Sequence, residues 1–323
     1  MTRSDFAGAV PQTWPELCRN AEYWQLDMAK FHLLKDFFAE IDKAFFLQCA
    51  EKVTQDFPSH EAAQRFGSGA LEKFLLLCLI ANYQNFREFY RREELPDSMF
   101  QAIRRDLPIW LETLEKDLGG YGLTPRIFEW EVACITGGVK QIGRLQFNDI
   151  HYFQPRCSIY RREDGSVETY PAFQKGNPKF PFLTCGDKVV NLHIPADGPL
   201  SIPDCRHSIA SIGRFVEERY PDYEYRALVC YSWLLDSQFR QLLPEKSNIV
   251  QFQDFGYCIP WRERDMTQEV IWRLWGNAGL KLSPEQLPVN NTMTREVARF
   301  LRNGGHFHVG ILVIPRECIA GMI

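Results

Sequence analysis

An α+β fold, a helical N-terminal domain followed by a mixed α/β sheet domain, is what three features of this sequence predict. Apolar residues recur at helical spacing through the first ~140 positions, with few glycines or prolines inside the runs. The period then changes to the alternation of strands, as in RLQFNDIHYF at 144–153. Strand-like and helix-like segments follow one another behind an opening hairpin, the order that builds a mixed sheet with helices on its faces. The boundary falls near 140–145, and the expected domains are 1–142 and 143–323.

In the first half, residues 28–50 and 69–92 read as long helices dense in Leu, Phe and Ala. Asp97 caps a segment with Met99, Ile103, Trp110 and Leu114 on one stripe; Pro108 breaks or kinks it and Gly119-Gly120 stops it. Thr124-Pro125 has the N-cap/N1 pattern of a further helix, which Gly137-Gly138 ends.

In the second half, 144–153 and 158–163 read as strands, with Asp164-Gly165 as a two-residue hairpin turn into SVETYP. VVNLHI is another strand. Ser201 with Asp204 reads as a capping box opening a helix whose apolar face holds Ile202, Cys205, Ile209, Ile212 and Val216. YRALVCYSW returns to a strand and DSQFRQLLP to a short helix. NIVQFQDF and YCIPW read as extended, MTQEVIWRLWG as a helix ended by Gly276, TREVARFLR as a helix, and HFHVGILVI as the closing strand.

Composition narrows the function classes. Apolar residues make up 45% of the chain and charged residues 24%, which describes a packed globular protein. A net charge of −4 offers no electrostatic case for nucleic acid or an anionic membrane. The ten cysteines are scattered singly without C-x-x-C, the usage of a reducing compartment. The N-terminal stretch MTRSDFAGAVPQTWPE lacks the apolar core of a signal peptide, and no run is long enough to span a bilayer. The expected location is cytoplasmic.

The candidate chemistry centres on VVNLHIPADG, 189–198, where His193, Asp197 and Gly198 fit H-x-x-x-D-G at a strand exit. A histidine there can take a proton from an acceptor hydroxyl or amine; it can equally bond a backbone group while Asp197 starts a turn. In CYSWLLDS, Ser232 and Trp233 stand at another strand exit, with Trp233 as pocket wall or core. Apolar neighbours argue against Cys230 as a nucleophile. Ser247 and Asn248 can donate to a carbonyl or simply make a turn. His306 and His308 alternate on a presumed strand, so a metal-dependent oxygenase using them with His193 and Asp197 is a third, weaker reading; no metal is expected. Residues Arg273–Ala278 fit R-x-x-G-x-A, but the match falls where a helix ends rather than begins.

Taken in order, NLHIPADGPLS, SWLLD with LLP six residues on, SNIVQFQDF, and LP-x-NNT-x-x-R with LRNGG resemble a bacterial two-domain family. Its members carry a helical N-acyltransferase N-terminal domain and a GNAT-like C-terminal domain. The resemblance runs from about residue 15 to the C-terminus, with its specific blocks in 189–310. It implies a GNAT-like sheet and acyl-CoA as co-substrate. It also implies site positions at His193, Pro195, Gly198, Ser232, Trp233, Ser247, Asn248, Thr292 and Arg295, while Asp197 does not belong to the family pattern.

The leading expectation is acyl transfer from a thioester to a small amine or hydroxyl acceptor. His193 and Ser232 are the catalytic candidates, and Trp233, Ser247, Asn248 and Arg295 the residues for the acyl-CoA. The alternative is a non-catalytic ligand-binding protein on a GNAT-like fold that has lost the usual cofactor loop. The expected partners are a small-molecule acceptor and acyl-CoA, with room for a homodimer.

Overall fold

The computed structural model describes residues 10–171 and 181–322. The reading of residues 1–9 as free of a signal-peptide core lies outside the described residues. The chain divides into two compact units, Met1–Gln141 and Ile142–Ile323.

The first unit is helical. Its elements are α1 (Trp14–Tyr23), α2 (Met28–His32), α3 (Lys35–Glu40), α4 (Lys43–Glu51), α5 (Ser59–Arg65), α6 (Ala70–Ala81), α7 (Tyr83–Arg92), α8 (Asp97–Ile103), α9 (Asp106–Leu118) and α10 (Pro125–Ile135). The single helix expected over 28–50 is therefore α2, α3 and α4. The cause is local: Ile41 is extended, and Asp42 accepts from the backbone N–H groups of Ala44 and Phe45 at 3.0 and 3.2 Å, starting a new helix. The segment expected from Asp97 is broken as anticipated, between α8 and α9: Pro108 cannot bond the carbonyl of Arg104 four residues back, and it lies in the first turn of the new helix, where no intrahelical N–H bond is required. Gly119 closes α9 in the left-handed conformation. Thr124 caps α10 as its spacing suggests, accepting from Ile127 at 3.4 Å. Helix α6 is the unit's centre: Phe74 through Ala81 are all buried, with Phe45 and Phe66 ringing Phe74.

Strand β1 (Lys140–Ile142) straddles the boundary, and the second unit continues with β2 (Leu145–Tyr152), β3 (Cys157–Arg161), β4 (Val167–Pro171), β5 (Leu183–Thr184), β6 (Lys188–His193), α11 (Ile202–Arg219) and β7 (Ala227–Ser232). After a 3-10 turn at Trp233–Leu235 come α12 (Phe239–Leu242), α13 (Asn248–Gln253), β8 (Tyr257–Asp265), α14 (Thr267–Gly279), α15 (Thr292–Arg302), β9 (His308–Pro315) and α16 (Arg316–Ile319). A six-stranded sheet runs β1-β2-β6-β7-β9-β8, and a small one runs β4-β3-β5. Strands β6 and β7 pair in parallel, joined by a crossover through α11; β2/β6, β7/β9 and β8/β9 are antiparallel.

Each face of the large sheet is covered. Val189, Val229, Ile311 and Val313 pack with Ile159 and Leu183 of the small sheet. On the other face, Cys205, Ile209, Ile212 and Val216 of α11 are buried, and Phe215 meets Phe147 edge to face. A separate apolar cluster joins α12 to α15 through Phe239, Val250, Val270, Val297 and Phe307.

Three expectations are corrected. The 164–165 turn is a three-residue loop: Arg162 and Ser166 close it, and Gly165 takes φ of 80°. Ser201 occupies the N-cap of α11 without a side-chain capping bond. NIVQFQDF is not extended but contains α13, because Ser247 accepts from Val250 N–H at 3.3 Å and starts a helix. Gly276 ends the first helical stretch of α14 as expected, leaving helical geometry at φ 66° and ψ −167° before a short second stretch to Gly279. Among the described residues, no helix is long and apolar enough to cross a membrane.

Candidate active site

The C-terminal ends of β6 and β7 form the centre of the site. Their parallel ladder runs from Val189↔Ala227 to Leu192↔Cys230 and stops there. His193 on β6, and Tyr231 and Ser232 on β7, continue past it, while β7 stays paired to β9 as far as Ser232↔Gly310. Two parallel strands thus part at the end where a loop and a helix follow each of them. Strand ends of this kind are where open sheets accept ligands, because backbone groups no longer engaged in the ladder become available.

His193 stands at that parting. Its Nε2 is 2.7 Å from Asn148 Oδ1 and 3.2 Å from Asn191 Nδ2, and Asn191 Nδ2 donates to Asn148 Oδ1 at 3.1 Å. Register explains the grouping. Asn148 pairs with Asn191 across β2/β6, and Asn191 and His193 are two apart on one strand, so all three share a face. The pairing then jumps to His151↔Val189, an extra residue in β2 that turns His151 onto the same face. Burial pushes the His193 imidazole down to about 4, with the nearby charge of His151 adding to the effect. His151 is itself lowered by burial. His193 is therefore neutral at pH 7 and able to take a proton.

The loop after His193 is held from outside. Arg144 donates to the carbonyls of Pro195, Gly198 and Pro199 at 2.7–2.9 Å and to Asp197 Oδ1 at 2.9 Å. Its backbone N–H donates to Ser208 of α11 at 2.8 Å. Asp197 is thus engaged in fixing the loop, which accounts for the H-x-x-x-D-G spacing without a catalytic aspartate.

The loop after β7 is equally fixed. Ser232 Oγ accepts from Leu234 N–H at 3.2 Å, capping the 3-10 turn. Asp236, buried, accepts from the backbone N–H groups of His308 and Gln238 at 2.7 and 3.0 Å. Gln253 donates to the carbonyls of Leu234 and Asp236. Gly310 permits the close approach: a Cβ there would lie 1.8 Å from the Leu235 carbonyl oxygen. Cys230 is pushed up to about 12 by burial and is no nucleophile.

The other sequence candidates lie at varying removes. By alternation, Ser232 faces opposite to His193, although the two sit at neighbouring strand ends. Trp233 leans on the helical cluster, its ring 5.8 Å from Phe239. Ser247 is the N-cap of α13 and Asn248 is exposed beside it. Arg295 lies on α15, its guanidinium 3.2 Å from Glu296 and its side chain 58% exposed. His306 and His308 do not share one strand face, since β9 begins only at His308. His306 pairs with Asp265 and His308 approaches Asp236, so they do not form a joint ligand set with His193 and Asp197.

Sequence reasoning missed Asn148, Asn191 and Arg144. A signal existed for Asn191, an amide two residues before His193 inside an otherwise apolar strand. Nothing local marks Asn148 or Arg144, whose roles depend on strand register and on a loop more than fifty residues away.

In the helical unit, ligand atoms of Asp106, Glu131 and Cys134 lie within 4.8 Å of one another. This grouping fits a shared proton rather than an ion. Burial, and then Asp106, hold the fully buried Glu131 well above the carboxylate range, while Asp106 Oδ2 accepts from the indoles of Trp110 and Trp130 at 3.0 and 2.7 Å.

Comparison with known proteins follows the same division. The model of the family described as the GNAT-like C-terminal domain matches residues 139–313, more than half of the chain. Among solved structures, the chain resembles an acyltransferase in complex with decanoyl-CoA, at 18% identity and a TM-score of 0.67, over 95% of this chain and 90% of that one. It is equally similar to a mutant acyltransferase in complex with octanoyl-CoA and to an acyltransferase in complex with decanoyl-CoA and teicoplanin, each at 18% identity, a TM-score of 0.67 and the same coverage. At that identity the likeness is one of fold. No curated protein matches the chain.

Proposed function

Since the chain belongs to the family of the GNAT-like C-terminal domain, we propose that it is an acyl-CoA-dependent acyltransferase with His193 as its general base. The observation that carries this reading is a neutral histidine at the point where the β6/β7 ladder stops. A thioester donor is supported by the end of the β6/β7 ladder, beyond which the two strands no longer pair, and by a β7 exit turn held in place by Asp236 and Gln253. When bound, the thioester supplies an activated acyl carbon.

His193 takes the proton of the acceptor amine or hydroxyl as that atom bonds to the acyl carbon, and the carbon–sulfur bond breaks to release the thiolate. Donors near Ser232 and at Ser247–Asn248 stabilise charge developing on the carbonyl oxygen. Arg295 and Trp233 contribute to holding the donor, Arg295 by offering an exposed charge to a phosphate group. The acceptor is a small amine or hydroxyl compound, and the setting is cytoplasmic, a reading supported by the absence of a disulfide among the described cysteines.

The test is acyl transfer by the wild type and His193→Ala with a panel of acyl-CoAs, beside coenzyme A binding by calorimetry. Turnover lost in the variant with binding retained is the expected result. Unchanged turnover removes His193 from the reaction, and no coenzyme A binding removes the class.

A further inference from the structure

Two cysteines at one end of the small sheet stand where the strand register sets them against each other. We propose that Cys157 and Cys185 are a reversible thiol pair, oxidised to a disulfide by a low-molecular-weight disulfide such as that of glutathione and returned to thiols by a dithiol.

Strands β3 and β5 pair antiparallel through Ile159↔Leu183 and Ser158↔Thr184. Carried one position further, that register places Cys157 opposite Cys185. Directly opposed residues of antiparallel strands have Cα atoms about 4.5–5.5 Å apart, inside the span of about 4.4–6.8 Å that a disulfide bridges. The chains are close at the preceding pair, where Ser158 Oγ and Thr184 Oγ1 are 2.8 Å apart. Ile159 and Leu183 both enter the core cluster, so by alternation Cys157 and Cys185 turn to that same side. Cys157 packs against the cluster accordingly.

Tyr231 shows the two thiols converging. It packs on the same cluster from β7. Burial, above all, raises its hydroxyl, and charge on Cys157 or Cys185 adds to the rise, so both sulfurs lie within electrostatic reach of one oxygen. Cys185 Sγ donates to the Gln154 carbonyl at 3.6 Å, and the Gln154 backbone lies beside that same hydroxyl.

The backbone presents Cys185 from a fixed turn. Asp187 N–H donates to the Thr184 carbonyl at 3.0 Å, and Gly186 takes φ of 91°. Gly186 N–H donates to the Phe153 carbonyl and Phe153 N–H to the Asp187 carbonyl, each at 2.9 Å, which ties the turn to the end of β2. Exposure divides the roles, since Cys185 is exposed and Cys157 half-buried. The Cys185 thiolate attacks the small disulfide, whose S–S bond breaks to release one small thiolate. The Cys157 thiolate then attacks the Cys185 sulfur of the mixed disulfide and expels the second. Two electrons pass to the oxidant, and the two cysteine protons end on the departing thiolates. An exposed bond of this kind is labile, as a transient disulfide in a reducing compartment must be. It would tie the start of β3 to the turn that leads into β6, the strand ending at His193.

The experiment equilibrates the native full chain in glutathione buffers of rising oxidised fraction. The samples are quenched in acid, alkylated in denaturant, digested and mapped by mass spectrometry. The wild type is expected to give a peptide pair joined through Cys157 and Cys185, lighter by two hydrogens than the separate thiol peptides and lost on treatment with dithiothreitol. Cys157→Ser is expected to lose the link and to keep glutathione on Cys185, because the thiol that resolves the mixed disulfide is gone. Cys185→Ser is expected to lose the link as well. No link between Cys157 and Cys185 in the wild type at any ratio overturns the proposal, as does a link that forms only after the chain is denatured. Glutathione on Cys185 and on the exposed Cys318 alike, with Cys157 alkylated, makes Cys185 merely accessible and overturns it too. The wild-type map decides the matter even where a variant fails to fold.

Discussion

Arg144 and Asp197 lie 53 positions apart in sequence and meet at 2.9 Å, with the side chains 10% and 18% exposed. The same guanidinium also binds three carbonyls of the loop that follows His193. Removing the arginine takes a donor from all four acceptors at once, whereas removing the aspartate leaves three of the bonds in place. Arg144→Ala is expected to cost roughly 2–4 kcal/mol and Asp197→Ala roughly 1 kcal/mol, measured by denaturant unfolding. Equal costs would contradict a loop held from the arginine side.

His193 carries a pH signature. Its imidazole is held at about 4 in the folded chain, against 6.5 in its ordinary state. Between those values the unfolded chain takes up a proton that the folded one refuses, so stability falls as pH drops through that window. His193→Asn should remove this slope from a series of unfolding curves between pH 4 and 7. For the same reason the acid limb of kcat/KM should lie near pH 4 rather than 6.5, read from a pH–rate profile.

Gly310 has no room for a side chain. A Cβ would sit 1.8 Å from the Leu235 carbonyl oxygen and 2.1 Å from its carbon, both backbone atoms of the turn that follows β7. Gly310→Ala must push that turn off β9 and should cost upward of about 1–3 kcal/mol, seen as a lowered melting temperature. The displacement also reaches the backbone groups assigned to the acyl carbonyl, so kcat should fall in whatever fraction remains folded.

Glu131 gives the opposite slope to His193. Its carboxyl is raised well above 4.5 by burial and by Asp106. The folded chain therefore keeps a proton that the unfolded chain loses above 4.5, and the stability this group contributes at low pH is lost as pH rises through its folded value. Glu131→Gln keeps the shape and removes the titration. Its unfolding free energy should decline less than that of the wild type between pH 5 and 8, measured with denaturant at each pH.

The helical first half and the sheet-bearing second half were legible in the sequence because periodicity reports burial, and burial dictates both. His193 was legible because it ends an apolar strand. Breaks inside the first half were not, since apolar residues recur at helical spacing on both sides of Ile41 and Asp42. Helix α13 was misread for a related reason: Ile249 and Val250 favour strands, but the Ser247 cap and burial of Val250, Phe252 and Gln253 decide for a helix. Asn148 could not be found from position alone. Its part in the site depends on which residue of β6 it faces, and that is a tertiary fact.

The unevenness in β2 has a consequence for anyone aligning this chain with others. In β6, parity is a guide: every second residue looks the same way. In β2 it is not, since Asn148 and His151 stand opposite Asn191 and Val189 although three residues separate one pair and two the other. A homologue one residue shorter between 148 and 151 would present a different side chain where His151 stands, with the upstream half of the strand untouched. A single-residue gap in that stretch, easily dismissed as noise in a loop, would mark a real change in what lies beside His193.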